Sequence, residues 1–596
     1  MNSAKQPRIL NPQPHNGPHN ELIIGIDVGT TFSGVCYAFL RPGEIPQIHS
    51  VTRFTDQTSG DSKIPSIMYY GEGMEMKAAG ATAATEDTDV EAECEGWLKV
   101  QYFKMYMRPA GMTIDTKGLE ISPLPQSMTP TTVMGDFLGY LYSETVKYIR
   151  IHHSDSADLL KSVKDRIKFV LSHPNGWAGL PQQRMREAAV LGKLVKDSEE
   201  ARAKISFVSE GEASALSCLA GGFCPPNLDR GYRFMIADLG GGTLDMTSYE
   251  VTNSSPLCLK ELTSSDCQFA GSVFVNNSAR NLVQKLLRGS QYDNPEILKE
   301  AIDDHFETST KRQFKDERKI SWLRVGNRDE NNARLGVRQG RLRIDGKDVA
   351  SCFERSISEA LKMIKAQIAR CGGKSMPVWL VGGFAASDWL FLKLEDALRS
   401  DGVEIRRPTA IDLSKAVAHG NVLYSLENIV SSRVTRCTYG LVCSTAYDKN
   451  DPQHRRRKHL QYTNLKGQLM MPGKFDIIVK KNNEVKEASR FSRSYHCLVE
   501  DISSARRIKT RIHSFADEDP VPKWYDENED MFDLACVIDA DLSCLCRFSD
   551  FQSYNDKAFW ELRYDVEIMF GLTELQARIK WIENVFSGPA TIFYEE

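Results

Sequence analysis

The first sustained apolar run begins at Leu22. Leu22-Ile-Ile-Gly-Ile-Asp27 carries a polar side chain only at its end, the pattern of a strand buried on both faces. It closes on Asp27-Val-Gly29-Thr30-Thr31, and an apolar-rich stretch returns after the threonines. The same arrangement recurs at Phe234-Met-Ile-Ala-Asp238-Leu-Gly240-Gly241-Gly242-Thr243. Each copy predicts a strand, a turn that tolerates no Cβ, and a returning strand, and the repetition suggests a duplicated lobe. Between the copies the apolar spacing predicts helices over 132–151 and 181–195 and a strand from Ile167 that ends at Pro174. Residues 296–318 are strongly charged and predict an exposed helix, 353–369 another. Val378-Trp-Leu-Val-Gly382-Gly383 is again an apolar strand meeting glycines, with a helix expected from Ser387.

Beyond about residue 430 the period changes to two. Every even-numbered side chain in 560–570 is apolar, and Phe532, Leu534, Cys536 and Ile538 repeat the alternation of half-buried strands. Further strands are expected at 475–479 and 591–594. Residues 1–20 hold four prolines and four asparagines and predict a disordered tail. The expected organisation is therefore a tail at 1–20, an α/β domain at 21–430 and a β-rich domain at 431–596.

Composition narrows the ligand. With 75 basic against 79 acidic side chains in 596 residues, the net charge of -4 offers no field for nucleic acid or an anionic membrane, so a charged ligand is small and held locally. No apolar stretch is long enough to span a bilayer and the N-terminus has no signal pattern, so no membrane span and a cytoplasmic location are expected. The basic cluster Arg455-Arg-Arg-Lys458 leaves nuclear import as the alternative; it and the acidic stretch 516–530 read as solvated loops. Fourteen cysteines without a Cys-x-x-Cys read as reduced core residues rather than zinc ligands.

Glycine hairpins supply backbone N–H groups at contact distance to phosphates, and two facing hairpins grip a triphosphate from both sides. Asp27 and Asp238, at the strand ends, suit a hydrated Mg²⁺, which prefers one or two carboxylates plus water. Thr30, Thr31 and Thr243 add hydroxyls. The chain has no Gly-x-x-x-x-Gly-Lys-Ser/Thr loop, and no serine-hydrolase, zincin or Rossmann signature.

These segments resemble the actin, sugar-kinase and heat-shock ATPase superfamily, most closely the seventy-kilodalton heat-shock chaperones. The resemblance runs in motif order through both phosphate loops, Val170-Leu-Ser-His-Pro174, Val208-Ser-Glu210-Gly-Glu-Ala213, Leu380-Val-Gly382-Gly383 and Lys415-Ala-Val-Ala-His-Gly420, over about 22–425. It implies a two-lobed actin-like ATPase fold of duplicated RNase H-like lobes, followed by a smaller β-rich domain. It also implies an ATP-binding, slowly hydrolysing chaperone-like protein, a weak ATPase turning ATP and water into ADP and phosphate. ATP or ADP, Mg²⁺ and a monovalent cation are its implied cofactors, protein clients or co-chaperones its implied partners.

Carried across, Asp27, Glu210, Asp238 and Asp245 are the implied metal-site residues, and Lys104, Glu210, Asp238 and Thr243 the implied catalytic ones, with Lys99 the rival lysine. Gly29, Thr30, Thr31, Gly240, Gly241, Gly242, Thr243, Gly271, Lys311, Arg312, Gly382 and Gly383 are the implied nucleotide contacts. The chain departs from the family where Ala386 replaces an arginine against the base and where Gly271-Ser272 replaces Gly-Gly-Glu. The interdomain linker is not recognisable, and strand patterns running almost to Glu596 leave no room for a helical lid. These departures resemble the divergent branch that includes the class-twelve members and many fungal homologues. The alternatives are a nucleotide-responsive scaffold with little turnover and a sugar-kinase-type phosphotransferase.

Overall fold

The apolar run that starts at Leu22 forms the strand Glu21–Asp27, buried from Leu22 onward and paired on both edges. The computed structural model describes residues 13–57, 63–109, 121–223, 228–408, 415–427, 429–486, 489–516, 520–547, 549, 551–555, 557–571, 574–581 and 591–593. Two compact units emerge: Met1–Arg108 with Ile114–Gly176 and Arg184–Val430, and Pro109–Thr113 with Trp177–Gln183 and Ser431–Glu596. Most of the expected disordered tail, residues 1–12, lies outside the described residues. Further along it, the backbone of His15 exchanges hydrogen bonds with Glu44 and Gly43.

In the first unit one sheet runs Gln47–Ser50, Phe32–Leu40, Glu21–Asp27, Ile167–His173, Ile205–Ser209. Neighbours among the first three strands are antiparallel, and the last two join in parallel. A second sheet contains, in order, Leu257–Glu261, Leu244–Ser254, Arg233–Leu239, Val378–Val381 and Ile405–Arg406. Its strands have the same sequence of directions, antiparallel, antiparallel, parallel, parallel. The central strand of each sheet is paired on both edges and buried on both faces, so only an apolar run can occupy it. The first of these central strands ends at Asp27, and the second ends one residue past Asp238.

Two helices fix the loops at those strand ends. Ala416–Leu426 crosses Glu210–Ala220 so closely that a Cβ on Gly420 would stand 1.8 Å from the Ala213 carbonyl oxygen. Next to the crossing, Asn421 donates to the Ile26 carbonyl at 3.0 Å, tying the helix to the first central strand one residue before Asp27.

The expected helices are present as Pro130–His152, Leu180–Leu191, Gly346–Arg370 and Asp388–Arg399. The charged segment 296–318 departs from expectation. It is α-helical at Pro295–Lys299, π-helical at Glu300–Thr310 and α-helical again at Lys311–Gln313, and it buries Ala301, Ile302, Phe306 and Lys311. Its sparse apolar residues suffice because wider π turns bring them and Lys311 to one buried side.

The second unit is β-rich. One sheet includes Leu469–Val479, Thr438–Ala446, Ile508–Phe515, Phe532–Ala540 and Thr591–Phe593; another pairs Arg490–Val499, Lys557–Gly571, Phe551–Tyr554 and Glu574–Lys580. They share a core to which one contributes Leu441, Ile512 and Ile538 and the other Leu562, Val566 and Ile568. The basic cluster is exposed at Arg455, Arg456 and Lys458, as expected of a solvated loop, but its third residue turns inward onto the acidic stretch. Arg457 is buried, lies over the Trp524 ring at 4.4 Å and pairs with Asp526 and Glu527, since a buried guanidinium requires carboxylate partners. Among the described residues no helix is long and apolar enough to cross a membrane.

Candidate functional site

The second glycine hairpin joins Arg233–Leu239 to Leu244–Ser254, with Asp238 opposite Asp245 in the register. Behind it lies the start of helix Ser272–Leu287, whose first amides need acceptors. The hairpin supplies them: Gly271, Ser272 and Val273 donate to the carbonyls of Gly242, Gly240 and Gly241 at 3.1, 3.1 and 2.9 Å. A trans peptide points its N–H away from its C=O, so the amides of Gly241, Gly242 and Thr243 are left on the opposite side. That side lines a cavity of about 540 Å³.

The first hairpin is held by a closed ring of hydrogen bonds. Gly29 N–H donates to Ser33 Oγ at 3.1 Å, Ser33 and Ser66 hydroxyls meet at 2.8 Å, and Ser66 Oγ donates to the Gly29 carbonyl at 2.8 Å. The Gly29 amide is thus spent within the loop. The two hairpins interlock, since a Cβ on Gly241 would stand 2.3 Å from Thr31 Oγ1, and one on Gly242 2.5 Å from Thr30 Oγ1. Gly382 has φ +86° and no room for a Cβ beside Asp238 and the Leu239 carbonyl.

Around this cradle the cavity gathers Asp27, Lys63, Lys104, Glu210 and Asp238. Lys104 projects from a short turn, Phe103–Met107, and its Nζ is 2.5 Å from Glu210 Oε1, the carboxylate that opens helix Glu210–Ala220. Lys63 Nζ is 2.6 Å from Asp27 Oδ2. Ser172 donates to Asp27 at 3.3 Å and Ser214 to Asp238 at 2.7 Å, fixing both carboxylates at their strand ends. Burial, reinforced by the Glu210 charge, pushes the Asp238 carboxyl up to about 7. Burial also raises the Glu210 carboxyl, against the pull of Lys104. Burial opposes the Lys104 charge as well, but Glu210, Asp27 and Asp245 outweigh it and hold the ammonium above the usual lysine range. The cluster is short of positive charge, which is the electrostatic condition a cation or a phosphate-bound cation relieves.

Of the residues singled out from sequence, Gly29, Thr30, Thr31, Gly240, Gly241, Gly242 and Thr243 line the cavity at the hairpins, and Gly382, Gly383, Lys311 and Arg312 line it elsewhere. Lys99 is elsewhere, paired with Asp89 at 3.1 Å. Gly271 is behind the hairpin, where a Cβ would meet the Gly241 carbonyl at 2.4 Å, and its neighbour Ser272 reaches the lining instead. Asp245 is also outside the lining; it is buried, accepts the Asn175 amide at 2.5 Å and is pushed up to about 8 by burial and the Glu210 charge. Among the described residues no three His, Cys, Asp or Glu side chains converge closely enough to hold an ion directly.

Sequence reasoning missed Lys63, Glu307 and Phe384, which also line the cavity. Glu307 pairs with Lys311, one π-distorted turn away, and burial pushes the Lys311 ammonium down. Ala386 lines the cavity in the position where an arginine was expected. The nearby Arg407 does not replace it: its guanidinium binds the Ala385 and Ala386 carbonyls at 3.3 and 3.2 Å and Asp388 at 3.0 Å. No motif precedes Lys63, so only its spatial partner identifies it.

Fold and site together define a mixed α/β protein with a cavity built on two interlocked glycine hairpins beside clustered carboxylates and lysines. No protein-family model matches the chain. It is similar to Heat shock 70 kDa protein 12B of Homo sapiens, 22% identical over 499 residues covering 70% of this chain and 71% of that protein. Heat shock 70 kDa protein 12A of Mus musculus is 23% identical over 288 residues, 39% of this chain and 40% of the relative. The Homo sapiens 12A protein is 26% identical over 206 residues, 33% and 28%. The chain is a divergent relative of these class-twelve seventy-kilodalton heat-shock proteins.

Proposed function

We propose that the chain binds ATP in this cavity and hydrolyses it slowly, in a chaperone-like role, on a two-lobed actin-like fold of duplicated RNase H-like lobes. The observation that carries the reading is the interlock of two glycine hairpins, each following a central strand with a buried aspartate at or next to its end, beside the Lys104–Glu210 pair. The repeated strand order supports the duplication. The cradle fits a triphosphate, because the outward amides of Gly241, Gly242 and Thr243 are donors on the side that lines the cavity. The carboxylates fit a hydrated Mg²⁺: Asp27 and Asp238 would hold it through water, which is the ion's preference. When bound, the ion neutralises phosphate charge. Lys104 and Glu210 orient the attacking water, and Thr243, whose hydroxyl also bonds Asp245, faces the terminal phosphate. ADP is the product and the lower-charge ligand.

A nucleotide-responsive scaffold with little turnover is the second reading, favoured by the base end, where Ala386 offers no guanidinium. A phosphotransferase needs a spare carboxylate base in an acceptor pocket. Among the lining carboxylates, Glu307 is already held by Lys311, and Asp27, Glu210 and Asp238 serve the phosphate end. Phosphate release by the purified chain, with and without sugars or an unfolded peptide, tests the reading. Slow release independent of sugar is expected, with Glu210→Ala lowering the single-turnover rate by roughly 10²–10³. ATP binding without measurable release would select the scaffold, and sugar-dependent transfer the kinase.

A further inference from the structure

We propose that Lys63 is a built-in counter-cation of the phosphate site, through which the chain holds a nucleoside triphosphate even without a divalent ion. The inference rests on the nucleotide reading above and concerns how that site manages charge. Lys63 lines the cavity, its side chain is 16% exposed, and its Nζ contacts Asp27, whose side chain is 4% exposed. The carboxylate that would share a hydrated metal ion therefore already has a cation.

This cation cannot drift from the phosphate loop. Lys63 immediately precedes Ile64–Pro65, which pairs with the residues that close the first hairpin, Ser33 with Ile64 and Phe32 with Pro65. Ser66 then donates its amide to the Thr31 carbonyl at 2.8 Å and its hydroxyl to Gly29. Gln57 holds the Lys63 carbonyl at 3.3 Å. Gly34 leaves room for the stem, since a Cβ there would stand 3.3 Å from Lys63 Cγ. The ammonium is thus built into the same hydrogen-bonded unit as Gly29, Thr30 and Thr31.

Charge decides what this does. Asp27, Glu210 and Asp238 are three carboxylates facing the place of a polyanion; Lys63 and Lys104 pair with two of them. A lysine with three donors can keep its carboxylate and still donate to a phosphate oxygen, and as a compact point charge it suits phosphate. With Lys63 beside the first loop and Lys104 beside Glu210, the triphosphate meets two fixed ammoniums from the site itself. Divalent ion then adds to affinity rather than creating it.

The test is calorimetric titration of the full chain with ATP, in Mg²⁺ and in EDTA, for the native protein, Lys63→Met and Lys63→Arg. The native chain is expected to bind in EDTA within about tenfold of its affinity in Mg²⁺. Loss of one charge-assisted contact in Lys63→Met should weaken binding in EDTA by roughly 10–100-fold, and in Mg²⁺ by much less. Lys63→Arg keeps the charge and should recover most of the EDTA affinity. Native binding that collapses in EDTA, or that Lys63→Met leaves unchanged there, overturns the inference while leaving the nucleotide reading standing. Absence of ATP binding in Mg²⁺ overturns both.

Discussion

Replacing Lys104 with Met keeps a stem of similar length and removes only the ammonium. The structure sets the size of the effect. The ammonium nitrogen and the Glu210 oxygen are 2.5 Å apart, and the side chains are 4% and 12% exposed, so the pair is surrounded mostly by protein rather than by water. Charge centres roughly 3.5 Å apart interact by about 5 kcal/mol at an effective dielectric of 20. Breaking a buried pair from one side usually costs about 3–5 kcal/mol, because the surviving charge is left without compensation. Lys104→Met should therefore destabilise the first unit by about 3–5 kcal/mol, whereas Lys104→Met with Glu210→Gln should return to within about 1 kcal/mol of the native chain. Hydrogen exchange of amides in Glu21–Asp27 and Arg233–Leu239 under increasing urea reads this unit separately from the β-rich one. A loss below about 1 kcal/mol for Lys104→Met, or a double variant no more stable than the single, would refute the claim that this pair is desolvated and mutually compensating.

Three further outcomes follow from the same geometry. Gly241→Ala places a Cβ against Oγ1, Cγ2 and Cβ of Thr31, at 2.3, 2.9 and 3.1 Å, so no rotamer change relieves it and the hairpins must part. ATP affinity by calorimetry should fall at least about tenfold, with the unit still folded by circular dichroism. Gly420→Ala gains about 1 kcal/mol of helix propensity, but its Cβ would meet backbone, the Ala213 carbonyl, at 1.8 Å. Overpacking of about 1–3 kcal/mol should win, giving a lower melting temperature; a higher one would mean that the helices are free to separate. His513 is buried, and burial with the Arg511 charge pushes its imidazole down to about 4. The unfolded chain then binds the proton more tightly, so stability of the β-rich unit is complete above about 6.5 and falls as pH drops towards about 4. The native-minus-His513→Gln difference in urea midpoint should shrink between pH 7 and pH 5, and a constant difference would discard the assignment.

Local periodicity carried much of the architecture. The runs ending at Asp27 and Asp238 are apolar throughout because a doubly paired, doubly covered strand admits little else, and glycine follows them because the loops leave no space for a Cβ. The alternation through Leu562, Val566 and Ile568 is likewise legible, since one face of that strand meets the core and the other does not. The charged segment 296–318 differed from expectation because exposure was read from its charge, while the chain there is partly π-helical and buries Ala301, Ile302, Phe306 and Lys311. What the tertiary structure alone decided is which distant groups meet. The helix at Ser272 donating to the carbonyls of the second hairpin, Lys63 on Asp27 and Arg457 on Asp526 each join segments that no repeat or spacing connects. Periodicity records which face of an element is buried, but not which element covers it. A buried charge is satisfied by whatever partner the fold brings within reach, so the chemistry of the site became visible only once the two central strands had set their ends side by side.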